Sequence, residues 1–504
     1  MTERKQAKNV LFIMLDTLAA QYLGCYGNSV VKTPNIDRLA RNATLFENAY
    51  SEGLPTIPAR RALMTGRFTL PFDGWRGLNE QDTTLTDMLW CRWWQTALIY
   101  DTPPMRIPKY AYSRGFDYVR FLPGHDLDHV SYAHVPLDKG MKPEDYTSPT
   151  MLRKMENGLL DADSEALLRS LDLFLRVCQD RRGDADSYVA KVASAAEHWL
   201  TDIRDKRRPF VLWVDSFDPH EPWDPPSVWA GEPCPYDPGY EGNPLVLAPW
   251  TPVEGRISER ECAHVRALYY EKISVADKWV GRLLDTLERE GLADDTLVIF
   301  TSDHGQPMGD GMHGHGLMRK CRPWPYEEVA HIPLIIRMPG AERGRRVQAF
   351  VQNADILPTL LDALGLLGNM PPVETGTHFP TYDDSDIQGE SLLPLLYGET
   401  DGLRDHAITG YFGKAVSIVT EDYSYIHWLA GDVNEKSVLV GEIRNDEAMW
   451  TCTLGAKLIV PKNDQLFDRR KDPQQLNDII DREPEAAERM LRKLKLRFSE
   501  IRST

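Results

Sequence analysis

Thr296-Leu-Val-Ile-Phe-Thr-Ser-Asp-His-Gly305 is a short apolar run that stops abruptly at Asp303 and His304. Three other stretches share the pattern: residues 10–15 run into Asp16, residues 96–100 into Asp101, and residues 210–214 into Asp215. Apolar runs of this length, without polar alternation, read as strands buried on both faces of a parallel sheet that helices cover. Residues 188–203 and 261–290 carry apolar side chains at helical spacing, the second stopping at Gly291, and supply such helices. The fold class is therefore α/β, with a large, mostly parallel central sheet flanked by helices. Sheets of this kind take ligands beyond the carboxyl ends of their strands, so the acidic residues at four strand ends converge on one edge.

A chain of 504 residues suits a large α/β unit with a smaller appendage. With 42% hydrophobic and 26% charged residues it has the composition of an ordinary globular enzyme. The net charge of −17 opposes nucleic acid or a membrane surface as a partner, and an anionic substrate needs a local positive pocket. Residues 10–15 are too few for a signal segment, and nothing reaches the ~18 apolar residues of a membrane span. The seven cysteines are scattered and form no C-x-x-C pair, which fits a reducing cytoplasm rather than a disulfide framework. Residues 122–154 and 222–252, rich in Pro, Gly, Asp and His, are expected as long surface loops or lids. Near residue 400 the composition changes to short β-like pieces (415–420, 423–428, 437–440, 457–460) and then a charged helix from Pro484. Two parts are expected, a catalytic α/β part over 1–400 and a C-terminal α+β subdomain over 401–504, with a small antiparallel sheet and a terminal helix.

The chemistry centres on Leu54-Pro-Thr-Ile-Pro-Ala-Arg-Arg-Ala-Leu-Met-Thr-Gly-Arg67. Arg60 falls one helical turn after Thr56, on the same face, and the helix N-terminus offers N–H groups to an anion. The stretch resembles the signature of the sulfatase family, in which Cys or Ser, one residue, Pro, one residue and Arg precede Leu-x-Thr-Gly-Arg. Family members convert that Cys or Ser to formylglycine, which Thr56 cannot become. A threonine can attack directly, as in phosphodiesterases of the same superfamily, so the substitution points towards phosphorus rather than sulfate.

The resemblance extends further. Asp16 in Leu-Asp-Thr and the pair Asp303-His304 match the family's metal ligands, and with the Thr56 oxygen they imply one divalent cation, Mn²⁺, Mg²⁺, Ca²⁺ or Zn²⁺. Thr17 departs from the Asp or Gln that follows the first Asp in the family. Such a cation would lower the pKa of the Thr56 hydroxyl and neutralise an ester oxygen. Phe217-Asp-Pro-His-Glu-Pro-Trp223 resembles the Pro-His element, which puts His220 at the leaving oxygen as acid. His-Gly-Leu-x-x-Lys falls on His315 and Lys320, implying a substrate contact and an oxyanion contact. Tyr100-Asp-Thr102 is closer to the Tyr-Thr-Thr of phosphonate monoester hydrolases, which makes Tyr100 and Thr102 substrate contacts. Arg60 would hold the nucleophile or the substrate.

Each residue also has a plainer reading. Asp16 alone at a strand end is more often a helix cap or turn residue than a ligand, Tyr100 reads as packing, and His220, His313, His315 and Lys320 read as surface or loop residues. A second metal around Asp218, His220, Asp224 or His313 stays open, although a lysine at 320 can stand in for it. The resemblance implies a hydrolase of small anionic esters, either phosphate diesters and phosphonate monoesters through Thr56, or sulfate esters without formylglycine. A binding protein without turnover is the third reading, and assembly into homo-oligomers through C-terminal parts is a further expectation.

Overall fold

The computed structural model describes residues 4–90, 92–138, 140–157, 162–248, 253, 257–309, 315–320, 323–369, 384–429, 461 and 463–504. Eight strands form one sheet: β1 (Asn9–Leu15), β2 (Thr44–Tyr50), β3 (Gln95–Tyr100), β4 (Tyr118–Phe121), β5 (Phe210–Ser216), β6 (Thr296–Ser302), β7 (Leu334–Arg337) and β8 (Arg345–Gln352). Their order is β4-β3-β5-β1-β6-β7-β2-β8. Only β7 runs against its neighbours. Every residue of β1, β5 and β6 is buried, as their unbroken apolar runs require. β1 lies between β5 and β6, with Met14 level with Asp215 and Leu15 level with Ser302. That register brings Asp16, Asp215 and Asp303 to one edge.

Alternate residues of β1 feed two cores. Leu11, Ile13 and Leu15 pack with residues of the Tyr188–His198 and Glu259–Arg289 helices, including Val192, Val265 and Leu268. Val10, Phe12 and Met14 pack on the other face with Ile57 and Leu63 of the Thr56–Thr65 helix and Leu357 and Leu360 of the Ile356–Ala363 helix. Each fully buried side chain of this size contributes about 1.5–3 kcal/mol of transfer free energy.

A second, antiparallel sheet has the order β12-β11-β10-β9, built from β9 (His406–Tyr411), β10 (Ala415–Thr420), β11 (Tyr423–Trp428) and β12 (Gln465–Asp468). The Pro484–Ser503 helix covers it, setting Met490, Leu494 and Phe498 against Ile418, Tyr425 and Leu466. The expected strands at 437–440 and 457–460 lie outside the described residues. β9 is tied to the larger part by hydrogen bonds along its length: Gln352 Nε2 donates to the Ile408 carbonyl at 2.6 Å, Leu54 N–H donates to the Gly410 carbonyl at 2.8 Å, and Tyr411 Oη–H donates to the Lys320 carbonyl at 2.8 Å. At Gly410 a Cβ would lie 2.3 Å from the Ala415 carbonyl oxygen, so only glycine lets β9 and β10 close here.

Two loop expectations change. Within 222–252, Trp223, Leu245, Val246, Leu247 and Ala248 are buried, because this apolar run outweighs the surrounding prolines and packs as core. Within 122–154, short 3-10 turns lead into the Pro149–Glu156 helix.

Candidate active site

Asp16, Asp303 and His304 stand just beyond the ends of β1 and β6, all fully buried, with one donor atom from each lying within 4.8 Å of the others. Thr17 takes a left-handed backbone (φ 63°), an uncommon conformation for a β-branched residue, and its N–H donates to Asp303 Oδ1 at 3.1 Å. The Thr17 carbonyl accepts from Tyr269 Oη at 2.6 Å. His304 Nδ1–H donates to the Gly305 carbonyl at 2.8 Å, which leaves the Nε2 lone pair facing the Thr56 hydroxyl at 3.2 Å. Gly305 has no room for a side chain, since a Cβ would meet the Glu328 carbonyl oxygen at 2.1 Å.

Thr56 is the first residue of its helix and 2% exposed. One turn on, the buried Arg60 donates through Nε and Nη2 to both oxygens of Asp215 at 2.9 and 2.7 Å. Its Nη1 donates to Asp303 Oδ2 at 2.5 Å and the Thr56 carbonyl at 3.2 Å, and Nη2 lies 3.1 Å from Asp16 Oδ2. Arg60 is thus the counter-ion of three carboxylates. Burial alone would lower its pKa, but Asp215, Asp303 and Asp16 hold it well above the usual value. Burial and the nearby Asp303 push Asp16 well up. Asp303 goes the opposite way despite its burial, because His304, Arg60 and the Thr17 N–H all favour its charged form. Burial lowers His304 to about 4, so its imidazole is neutral and able to ligate at neutral pH.

These residues fit a divalent cation. Neither oxygen of the buried Asp16 accepts a hydrogen bond among the described residues, and two crowded carboxylates with one neutral imidazole form an oxygen-rich donor set.

Apart from this cluster, the His220 ring stacks on Phe217 with centroids 3.8 Å apart. His220 Nδ1 donates to the Glu221 carbonyl at 2.5 Å, and Nε2 accepts from Lys320 Nζ. Burial holds the His220 pKa well below 6.5.

The other expected residues are placed as follows. Thr102 donates to Asp215 Oδ1 at 2.7 Å and so braces the Arg60 partner. Tyr100 is buried with its ring against Phe121, centroids 5.0 Å apart. His315 packs flat on Tyr326, donates to the Gln475 carbonyl at 2.9 Å and lies 3.6 Å from Glu328, contacts that tie it to the C-terminal part and share nothing with the Asp16 cluster. His313 lies outside the described residues. Lys272 fills the place considered for a second cation, with Nζ 2.6 Å from Asp218 and 3.1 Å from Asp224.

Sequence reasoning missed the roles of Asp215, Glu221, Lys272 and Tyr411. Lys272 carried a signal, a cation within the apolar stripe of the Glu259–Arg289 helix. Glu52, two residues before Leu54, was also missed: it accepts from Thr69 N–H and Oγ1 and from Leu70 N–H at 2.6–2.9 Å, and burial pushes its carboxyl up to about 7.

The profile of the Sulfatase family matches residues 8–366. An N-acetylglucosamine-6-O-sulfatase of Bacteroides thetaiotaomicron is 25% identical over 95% of this chain and 83% of its own. An arylsulfatase of Clostridium perfringens is 25% identical over 94% and 90%. Among solved structures, the phosphonate monoester hydrolase of Agrobacterium radiobacter superposes with a TM-score of 0.64 at 21% identity, over 98% of this chain and 95% of that one. The family generally binds a divalent metal ion, its members are ester hydrolases, and among the described residues no helix is long and apolar enough to cross a membrane. With the family profile covering most of the chain and the strand-end cluster in place, this protein belongs to the sulfatase family and is an ester hydrolase.

Proposed function

We propose that this protein cleaves phosphate diesters or phosphonate monoesters with Thr56 as the nucleophile. The observation that carries the reading is the Thr56 hydroxyl, buried at a helix N-terminus and 3.2 Å from His304 Nε2, beside Asp16 and Asp303. A divalent cation held by Asp16, Asp303, His304 and the Thr56 oxygen would supply charge neutralisation and a more acidic hydroxyl. Arg60, locked by Asp215 and Thr102, pairs with both acidic ligands and fixes the Thr56 carbonyl, so it positions the nucleophile rather than touching substrate. Thr56 loses its hydroxyl proton to solvent, Oγ attacks phosphorus, and the bond to the alcohol or phenol breaks. His220 delivers a proton to the departing oxygen, and Lys320 holds a non-bridging oxygen. Water then cleaves the phospho-Thr56 ester at phosphorus. That route needs no aldehyde, which a threonine cannot provide, and this favours phosphorus over sulfur.

A division near residue 400 belongs to the same proposal, supported by the second sheet beginning at His406. The unpaired thiols Cys25, Cys178, Cys234 and Cys262 support a reducing, cytoplasmic setting. The relatives named for sulfate ester hydrolysis favour a second reading, a sulfatase working without formylglycine.

The test is a rate panel of p-nitrophenyl sulfate, p-nitrophenyl phosphate, p-nitrophenyl phenylphosphonate and bis-p-nitrophenyl phosphate, with Mn²⁺ or Zn²⁺ added. Preferred turnover of the diester or phosphonate is the expected result. Preferred sulfate turnover would overturn it in favour of the second reading, and no turnover would favour a binding role.

A further inference from the structure

Beside His220 lies a buried acid that the steps above leave unused. Glu221 is 2% exposed; its Oε1 accepts from Arg319 Nε at 2.8 Å and its Oε2 from Gln306 Nε2 at 2.8 Å. Oε2 also lies 3.5 Å from Lys320 Nζ and 3.5 Å from His220 Nδ1. Among the described residues it is the sole carboxylate within ion-pair distance of either group. Arg319, whose guanidinium Glu221 grips, has a left-handed backbone (φ 68°) and directly precedes Lys320, so the ion pair anchors the strained turn that presents the lysine.

The charges facing His220 define a need for this acid. Lys320 touches Nε2, Arg319 is close behind, and Lys272 donates to the His220 carbonyl, although Asp218 and Asp224 neutralise it. With Nδ1 donating to the Glu221 carbonyl, an acid role requires a second proton on Nε2, and therefore a cation that burial opposes first and the charges of Lys320 and Arg319 oppose further. Glu221 offsets that repulsion, and it stays ionised because His220, Lys320 and Arg319 outweigh its burial.

We propose that Glu221 is the positioning residue of the leaving-group step, holding Lys320 and Arg319 in register and allowing His220 to carry the proton that leaves with the alcohol or phenol. As the bond from phosphorus to the leaving oxygen breaks, Nε2–H passes its proton to that oxygen and His220 becomes neutral. The water that opens phospho-Thr56 returns a proton to it. This inference rests on the phosphoesterase reading.

The experiment compares the unaltered protein, Glu221→Gln and Glu221→Asp on two matched phosphonate esters, one releasing p-nitrophenol and one phenol. Phenol needs the acid more, so Glu221→Gln is expected to lose about tenfold more on the phenyl ester than on the nitrophenyl ester, with Glu221→Asp recovering most of the difference. Equal losses on both esters would reduce Glu221 to a packing role and overturn the inference. Histidine-ring NMR, assigned with His220→Asn, gives a readout without turnover: the pH at which His220 takes its second proton should fall in Glu221→Gln. An unchanged value would also overturn the inference, whereas absence of turnover in the unaltered protein would strike the phosphoesterase reading itself.

Discussion

The cluster around Asp16, Asp303 and Thr56 and the cluster around His220 and Lys320 are made of different material. Asp16, Asp303 and Thr56 stand on strand ends and a helix start, with positions set by the register of β1, β5 and β6. His220, Glu221, Arg319 and Lys320 come from two irregular segments that hold each other by charge and are braced from outside by Tyr411. The first side is rigid because its backbone belongs to the core. The second gains its order from side-chain partners, and on the first side Arg60 alone balances three buried carboxylates, so substitutions at Thr56 and Lys320 should uncouple the chemistry from the stability and those at Arg60 should not.

The sharpest separation is expected at Thr56. Thr56→Ala should lower kcat by about 10³-fold or more while leaving the thermal midpoint nearly unchanged, as paired kinetics and melting curves would show. Arg60→Ala should do the reverse of a clean active-site change: three buried carboxylates lose their counter-ion, and stability in chemical denaturation should fall by about 3–5 kcal/mol in metal-free protein. Added Mn²⁺ should restore part of it, by binding the folded state. If Arg60→Ala melts like the unaltered protein, the rigid-side argument is wrong.

On the other side, Lys320→Ala should cost about 10²–10³-fold in kcat with little change in stability, the amount expected for one oxyanion contact. A pH effect belongs to the segment just before Thr56. The Glu52 carboxyl titrates near 7 when folded against an ordinary 4.5, so the folded state holds the extra proton between those values. Its contribution is complete below about 4.5 and is lost as pH climbs through 7, and Glu52→Gln should remove that decline from a stability profile taken across the window. The smallest expected change is Tyr411→Phe, which deletes one hydrogen bond to the Lys320 carbonyl and should cost about 1 kcal/mol, with a larger proportional effect on kcat than on substrate affinity.

What could be read in advance follows the same division. The runs ending at Asp16, Asp101, Asp215 and Asp303 give away four strands of the sheet because fully buried strands need unbroken apolar runs. β2, β4, β7 and β8 carry polar residues or lie near the sheet's edges and have no such signature; β4 and β8 are the edge strands. Thr56, Asp303 and His304 were legible from local motif, and the structure places them together. The Arg60–Asp215–Thr102 clamp was not, since nothing local pairs residues 155 positions apart. His315 is read together with Lys320 from one motif, but five residues along an irregular segment carry its contacts to Tyr326 and Gln475. Lys272 lies inside a helix whose apolar spacing reads as core packing, and only its distant partners Asp218 and Asp224 reveal a buried cation.

The central claim, that Thr56 forms the covalent intermediate, is tested most directly by acid-quenching the metal-loaded protein during turnover of bis-p-nitrophenyl phosphate and locating the phosphoryl adduct by peptide mass spectrometry. The account predicts a phosphoester on Thr56 that decays on chase and is absent from Thr56→Ala. An adduct on any other residue, or undiminished turnover by Thr56→Ala, would contradict it.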